Sequence, residues 1–249
     1  MISKISVCLE VGPEATGAFV PECPGCWAFG RTKESALKKV RSAVVDWIEC
    51  LRRQGGEIPY SGRNLRVDLR RQIEIEVAEM MQVAYNPAMA GKPEPLFWSE
   101  VLPVTRDDIK RTIRLMEFSR YDLLELVSHL TKEQLNFKPP GQPRTIKNCL
   151  KHIAYVEWWY VNRLNIEMPE KFPKDVFGLL NHIRELVVEA LEKLPREKMR
   201  GVHQPVKYKS PTCDLWTARK VLRRLVDHER LHTRYVKRVL KTYSTTWRI

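Results

Sequence analysis

Trp216-Thr-Ala-Arg-Lys-Val-Leu-Arg-Arg-Leu-Val-Asp-His228-Glu-Arg-Leu-His232-Thr opens the last long amphipathic stretch of this chain and decides how its C-terminal half is read. Val221, Leu222, Leu225, Val226, Tyr235, Val236 and Val239 recur at helical spacing, so residues 216–243 are predicted to be one helix with an apolar stripe. Side chains four apart lie on one helix face, which stacks His228 above His232. The phase puts both on the same stripe as Leu225, Tyr235 and Val239. A buried imidazole that lacks partners costs on the order of a few kcal/mol. A shared metal ion satisfies one nitrogen of each ring, and the other nitrogen then donates to a carboxylate, a carbonyl or water. Glu157, Asp227 and Glu229 are the carboxylate candidates for that supporting role. By spacing alone, two partly exposed histidines with local hydrogen bonds fit the pair equally well.

Working outward, three more helices precede this one. Thr105-x-x-Asp108 is a capping box, followed by Ile109, Ile113, Met116, Leu123, Val127 and Leu130 on one face. A second helix begins after Pro143, with Ile146, Ile153, Val156 and Leu164 on its buried side. A third follows Pro173, with Val176, Leu180, Ile183, Val187, Ala190 and Leu194, and Pro195 stops it. Residues 195–214 are expected to be a long loop. Four one-sided helices predict an all-α four-helix bundle. His152 lies on the second helix, near Cys149 and Val156, and is the candidate third metal ligand. Three protein ligands leave a coordination position open, the mark of a catalytic rather than a structural site. His129, at a helix end, His182, beside Ile183, and His203, in the loop, carry no ligand signal.

The N-terminal segment has a different rhythm. Ile5, Val7, Leu9 and Val11 alternate with polar residues as in a half-buried strand. Residues 17–21 and 27–30 predict two further strands, joined by a Pro24-Gly25 turn. Thr32 is a helix N-cap, Ala36, Val40, Val44, Ile48 and Leu51 mark the helix, and Gly55-Gly56 ends it. After Pro59-Tyr-Ser-Gly, Ile73-Glu-Ile-Glu-Val77 alternates as a strand that Met80 to Tyr85 extend. Residues 86–104 carry Pro87, Pro93, Pro95 and Pro103 and are expected to be an extended linker. The predicted organisation is thus an α+β two-domain chain: a β-β-β-α(-β) unit over 1–85, a linker over 86–104 and the helical bundle over 105–249.

Charge follows the same division. Residues 1–100 hold 13 Lys+Arg and 13 Asp+Glu, while residues 101–249 hold 30 and 17, so the second half carries the whole net charge of +13. Arg219, Lys220, Arg223, Arg224, Arg234, Lys237, Arg238 and Lys241 are expected to form a solvated outer face of the last helix. No apolar run is long enough for a transmembrane helix, and a cytoplasmic protein is expected. Of six cysteines (Cys8, Cys23, Cys26, Cys50, Cys149 and Cys213), only Cys23-Pro-Gly-Cys26 has metal-like or redox-like spacing. It lacks the second such pair of a four-cysteine zinc site. A redox Cys-x-x-Cys opens a helix, whereas this one falls in a turn between strands, so a structural turn is expected.

The phrases Lys147-Asn-Cys-Leu-Lys-His152-Ile-Ala and Trp216 to Thr233 resemble the DinB/YfiT-like family of metalloenzymes over residues 105–243. The resemblance implies a divalent metal (Zn, Ni, Fe or Mn) held inside a four-helix bundle by His152, His228 and His232. It also implies a thiol-dependent transferase or related activity on a small molecule. Tyr155, Trp158, Trp159 and Trp216 are candidates to wall the pocket, although any one of them is equally a core residue. The stretch Gly17 to Leu37, with its Pro-Gly-Cys turn and Gly-x-Thr helix start, resembles the HicB-like antitoxin domain over residues 2–58. That likeness implies protein-partner binding or a homodimer, but the DNA-binding tail usual there is replaced by the bundle.

Two functions of different class follow. One is a metal-dependent transferase or hydrolase, its general base unassigned and Glu157 and Asp227 standing as candidates. The other is a non-catalytic binding or regulatory protein that uses the N-terminal unit for a protein partner and the basic helix for an acidic one, with nucleic acid the less favoured partner.

Overall fold

The computed structural model describes residues 3–56, 73–89, 92–207 and 214–246. Pro59-Tyr-Ser-Gly62 and Cys213 lie outside these residues. The chain is mixed α/β, with an N-terminal sheet followed by C-terminal helices.

The sheet forms from β1 (Ser3–Val11), β2 (Thr16–Phe19), β3 (Trp27–Gly30) and β4 (Ile73–Gln82), in the order β3-β2-β1-β4. The first three strands form an antiparallel meander, and β4 returns parallel to β1 after α1 (Lys33–Arg53), with a register shift opposite Val7/Cys8. Thr32 caps α1 by accepting from the Ser35 amide at 3.2 Å, and Gly55 follows its end at φ +69°. Ile5, Val7 and Leu9 turn one face of β1 into a core shared with Val40, Val44, Trp47 and Leu51 of α1.

The other sheet face differs from the half-buried expectation. Cys8 and Glu10 are also buried, and Cys8, Phe19 and Trp27 cluster with Phe97. The cover comes from the segment predicted as an extended linker. Trp98–Val101 form a short helix, α2, and Phe97 and Glu100 beside and within it are each only 1% exposed. The prolines on either side shape the path of this segment without preventing it from packing.

Five further helices follow: α3 (Arg106–Val127), α4 (Lys132–Asn136), α5 (Ile146–Asn162), α6 (Val176–Glu192) and α7 (Ala218–Thr246). Side-chain caps explain where four of them start. Thr105, Thr131, Thr145 and Asp175 accept from the amides of Asp108, Gln134, Asn148 and Gly178 respectively. The short α4 was not predicted, although Thr131-Lys-Glu-Gln134 is itself a capping box. α5 packs on α6 and α7, and α3 packs on α7 and α6. The expected loop over 195–214 contains a strand, β5 (Val202–His203), that pairs with β6 (Trp216–Thr217) immediately ahead of α7. Residues 208–213 of that loop lie outside the described ones. α3 ends at Val127, so His129 sits just beyond the helix rather than in its last turn.

The largest departure concerns charge. Part of the basic face predicted to be solvated is turned inward, with Arg223 and Arg224 against the sheet. Lys220, Arg223 and Arg224 are nearly or fully buried, as is Arg230 elsewhere on the same helix. The Arg223 guanidinium lies 3.7 Å above the Phe19 ring and donates to Glu100 Oε1 at 2.6 and 2.9 Å and to Asp227 Oδ2 at 2.6 Å. Arg224 lies 3.8 Å above Trp27 and pairs with Glu94. Arg230 lies 4.4 Å above Trp47 and pairs with Asp46 at 2.8 Å and with Asp122. Cations stacked on aromatic faces and paired with carboxylates are tolerated where solvent is absent. Arg238 and Lys241 remain exposed.

The Cys-Pro-Gly-Cys turn is a further contact between the sheet region and α7. The Gly25 amide donates to Asp227 Oδ1 at 2.6 Å, and Trp47 Nε1 donates to the Pro24 carbonyl at 2.8 Å. Gly25 has φ +107°, and a Cβ there would sit 2.6 Å from Trp47 Nε1. Gly25→Ala therefore combines left-handed strain with overpacking of a buried indole. A loss of about 2 kcal/mol or more is expected in urea denaturation. Cys23 and Cys26 are both buried, with sulfurs 3.6 Å apart, and burial holds the Cys26 thiol well above its usual range. That fits the structural turn expected from the sequence.

Candidate metal centre

His152 comes from α5, and His228 and His232 come from successive turns of α7. Packing of these two helices brings the three rings together. His228 Nε2 lies 3.2 Å from His152 Nε2 and 3.1 Å from His232 Nε2. One ligand nitrogen from each ring lies within 4.8 Å of the others. Ring centroids are 4.4 to 4.9 Å apart at interplanar angles of 61° to 85°, so the rings are splayed about a common point rather than stacked. His228 is buried, and the other two are half-buried.

Protons alone serve this arrangement poorly. Burial, and then the charge of Arg144, push His152 down to about 4. Burial, then His152 and Arg144, push His232 down to about 3, and burial holds His228 well below the usual imidazole range. Three neutral rings carry at most one N–H each, and a single proton on His228 Nε2 cannot bond well to both neighbours. A cation serves all three lone pairs at once. Two nitrogens bound to zinc at about 2.0–2.1 Å in tetrahedral geometry lie roughly 3.3–3.4 Å apart. The two separations from His228, 3.1 and 3.2 Å, lie close to that value, and all three nitrogens lie within 4.8 Å of one another, so these residues suit a divalent ion.

The depressed imidazoles carry a pH signature. In the unfolded chain a histidine titrates near 6.5, and in the fold His152 and His232 stay neutral to about 4 and 3. Between those limits the unfolded state binds more protons, so stability rises with pH. This contribution is complete above pH ~6.5 and is lost as pH falls through the folded values. Glu10, which burial and then Glu94 push up to about 7, has the opposite sign. The diagnostic is therefore the difference between the wild type and His232→Gln, both metal-free. The wild type is expected to lose more stability than the variant between pH 7.5 and 5 in urea denaturation.

The three carboxylates predicted to support the imidazoles face elsewhere. Glu157 accepts from Arg184 Nε at 2.6 Å and Arg120 Nη2 at 3.1 Å. Glu229 accepts from Arg120 Nε at 2.8 Å and from Arg184. Asp227 is held by the Gly25 amide and Arg223. Buried arginines hold all three, and Asp227 accepts from the Gly25 amide as well. The Arg120–Glu157–Arg184–Glu229 cluster joins α3, α5, α6 and α7. Arg120 also donates to the Leu180 carbonyl at 2.9 Å and Arg184 to the Met116 carbonyl at 2.7 Å.

The aromatic candidates are likewise redistributed. Tyr155 is 43% exposed and meets Phe172 edge-on at 5.6 Å. Trp158 donates from Nε1 to the Pro169 carbonyl at 2.9 Å. Trp159 packs on Trp216 at 5.5 Å and lies under Arg163. Trp216 is fully buried against Tyr160. The ring that meets His228 is Tyr160, at 5.8 Å, and Tyr235 meets His232 at 6.5 Å. Tyr235 shares the apolar stripe with His232 and was legible in the sequence. Tyr160, within an uninterrupted aromatic run, gave no signal that set it apart. Cys149 was also unassigned, and its sulfur lies 3.5 Å from His232 Nδ1.

Residues 115–236 match the family model of the DinB superfamily, a span that contains all three histidines. No curated protein and no solved structure matches the chain. Among the described residues no helix is long and apolar enough to cross a membrane.

Proposed function

We propose that this chain is a divalent-metal-dependent enzyme of the DinB type, with His152, His228 and His232 as the ligands and a coordination position left for a small-molecule substrate. The observation that carries the proposal is the approach of three neutral Nε2 atoms, with 3.1 and 3.2 Å between neighbours, inside a region that matches the DinB superfamily. Imidazole sets suit zinc, iron and nickel better than hard ions, with manganese the outlying candidate. When bound, such an ion supplies a Lewis acid that polarises a substrate oxygen or sulfur. The protein's own part is to hold the rings neutral, to wall them with Tyr160 and Tyr235, and to present the positive field of Arg144 to the site. That field favours an anionic substrate, including a thiolate, in transferase or hydrolase chemistry.

The mutual packing of α3, α5, α6 and α7 supports a four-helix bundle as the scaffold. The β-β-β-α-β order supports a HicB-like N-terminal unit, with a homodimer through that unit as part of the same proposal. The binding-protein alternative keeps only part of its basic surface, because Lys220, Arg223 and Arg224 are buried while Arg238 and Lys241 stay exposed. Elemental analysis of protein purified without a polyhistidine tag tests the enzyme proposal. About one divalent ion per chain is expected. Protein that carries no metal and takes up none at micromolar free zinc or nickel would overturn it.

A further inference from the structure

Cys149 stands three residues before His152 on α5, yet its sulfur meets the other helix, lying 3.5 Å from Nδ1 of His232. The two nitrogens of an imidazole point to opposite sides of the ring. His232 Nε2 faces His228 Nε2 at 3.1 Å, so Nδ1 faces away from the shared centre. Cys149 is fully buried and is absent from the set of convergent ligand atoms, which places it behind the ring rather than among the ligands.

Only one direction of this hydrogen bond is compatible with a cation. If the thiol donates to Nδ1, the ring proton sits on Nε2 and points into the cluster, where it blocks coordination. If Nδ1–H donates to sulfur, the Nε2 lone pair is free. In metal sites the second imidazole nitrogen usually donates to a carboxylate, carbonyl or water that fixes the tautomer. Here Glu157, Asp227 and Glu229 are held by arginines, and the sulfur occupies the supporting position behind His232.

Resting on the metal-centre proposal above, we infer that Cys149 is a positioning residue for the metal centre: its sulfur accepts the Nδ1–H of His232 and so fixes the tautomer whose Nε2 binds the ion. The role requires a hydrogen-bond acceptor at this place, not a thiol as such. A serine oxygen replaces it, and an apolar side chain does not.

The test measures zinc dissociation constants by chelator competition for wild type, Cys149→Ala, Cys149→Val and Cys149→Ser. Cobalt absorption spectra of the same proteins and thermal unfolding of their metal-free forms complete it. Removal of an outer partner of a metal-bound histidine weakens binding on the order of 10-fold or more. Cys149→Ala and Cys149→Val are expected to bind zinc about 10-fold more weakly and to alter the cobalt spectrum, whereas Cys149→Ser stays within about threefold of wild type. Valine keeps the volume if alanine prevents folding. Apolar variants within twofold of wild type, or serine as weak as alanine, overturn the inference while leaving the metal centre standing. A wild type that binds no zinc or cobalt overturns both.

Discussion

Glu229→Ala is expected to destabilise the metal-free protein by about 3–5 kcal/mol, because it leaves two buried guanidiniums half-paired. Each oxygen of Glu229 and Glu157 accepts from Arg120 or Arg184, and all four side chains are 12% exposed or less. The cluster has two positive and two negative charges and sits in the interior shared by four helices. Taking charges out of water costs several kcal/mol per ion, which mutual attraction offsets only while every partner is present. Losing Glu229 removes half of the compensation and none of the desolvation cost. Urea denaturation of chelator-treated protein measures this without interference from metal. A loss below about 1 kcal/mol would mean that the cluster is solvated or that the arginines find other acceptors. The exposed Glu189–Lys193 pair on α6 is the control, and Glu189→Ala should leave the midpoint unchanged.

His228→Ala is expected to weaken divalent-metal binding by at least about 100-fold, beyond the range seen when outer partners of metal-bound histidines are lost. His228 is the middle ligand, and the close separations of 3.1 and 3.2 Å both involve its Nε2. Without it, His152 and His232 remain as a two-nitrogen site on two helices. The measurement is metal stoichiometry after dialysis against micromolar zinc, with His182→Ala, half-buried on α6 and outside the histidine cluster, as a histidine control. Retention of tight, stoichiometric metal by His228→Ala would show that the ion is held elsewhere. Cys149→Ala should fall between the two.

Much of the chain was legible because its signals are local. Thr32 and Thr105 cap the helices that they were expected to cap, and the alternation of Ile5, Val7 and Leu9 marks β1. The Pro24-Gly25 turn was legible for the same reason: backbone conformation there follows from two residues. His228 and His232 are four apart on one helix, so their proximity needed no tertiary information. Even His152 followed from the apolar phase of α5 together with a family resemblance.

What stayed illegible depends on partners far apart in sequence. An arginine at an amphipathic boundary reads as solvated, and nothing nearby announces that Phe19 will lie 3.7 Å beneath Arg223. Four prolines read as a linker, because local composition does not reveal that Phe97 completes a cluster with Cys8 and Trp27. Glu229 follows His228 directly and Glu157 lies five residues after His152, but 100° per residue turns both carboxylates away from the histidines, toward Arg120 and Arg184.

Helical phase, capping chemistry and strand alternation are carried by neighbours along the chain, and they determined most of the long elements and, with a family resemblance for His152, the candidate ligands. Tertiary packing decided which nitrogen faces which, which carboxylates are claimed by arginines and which sulfur stands behind His232, because hydrogen bonds and ion pairs depend on separations of about 3 Å that only the folded arrangement of helices sets.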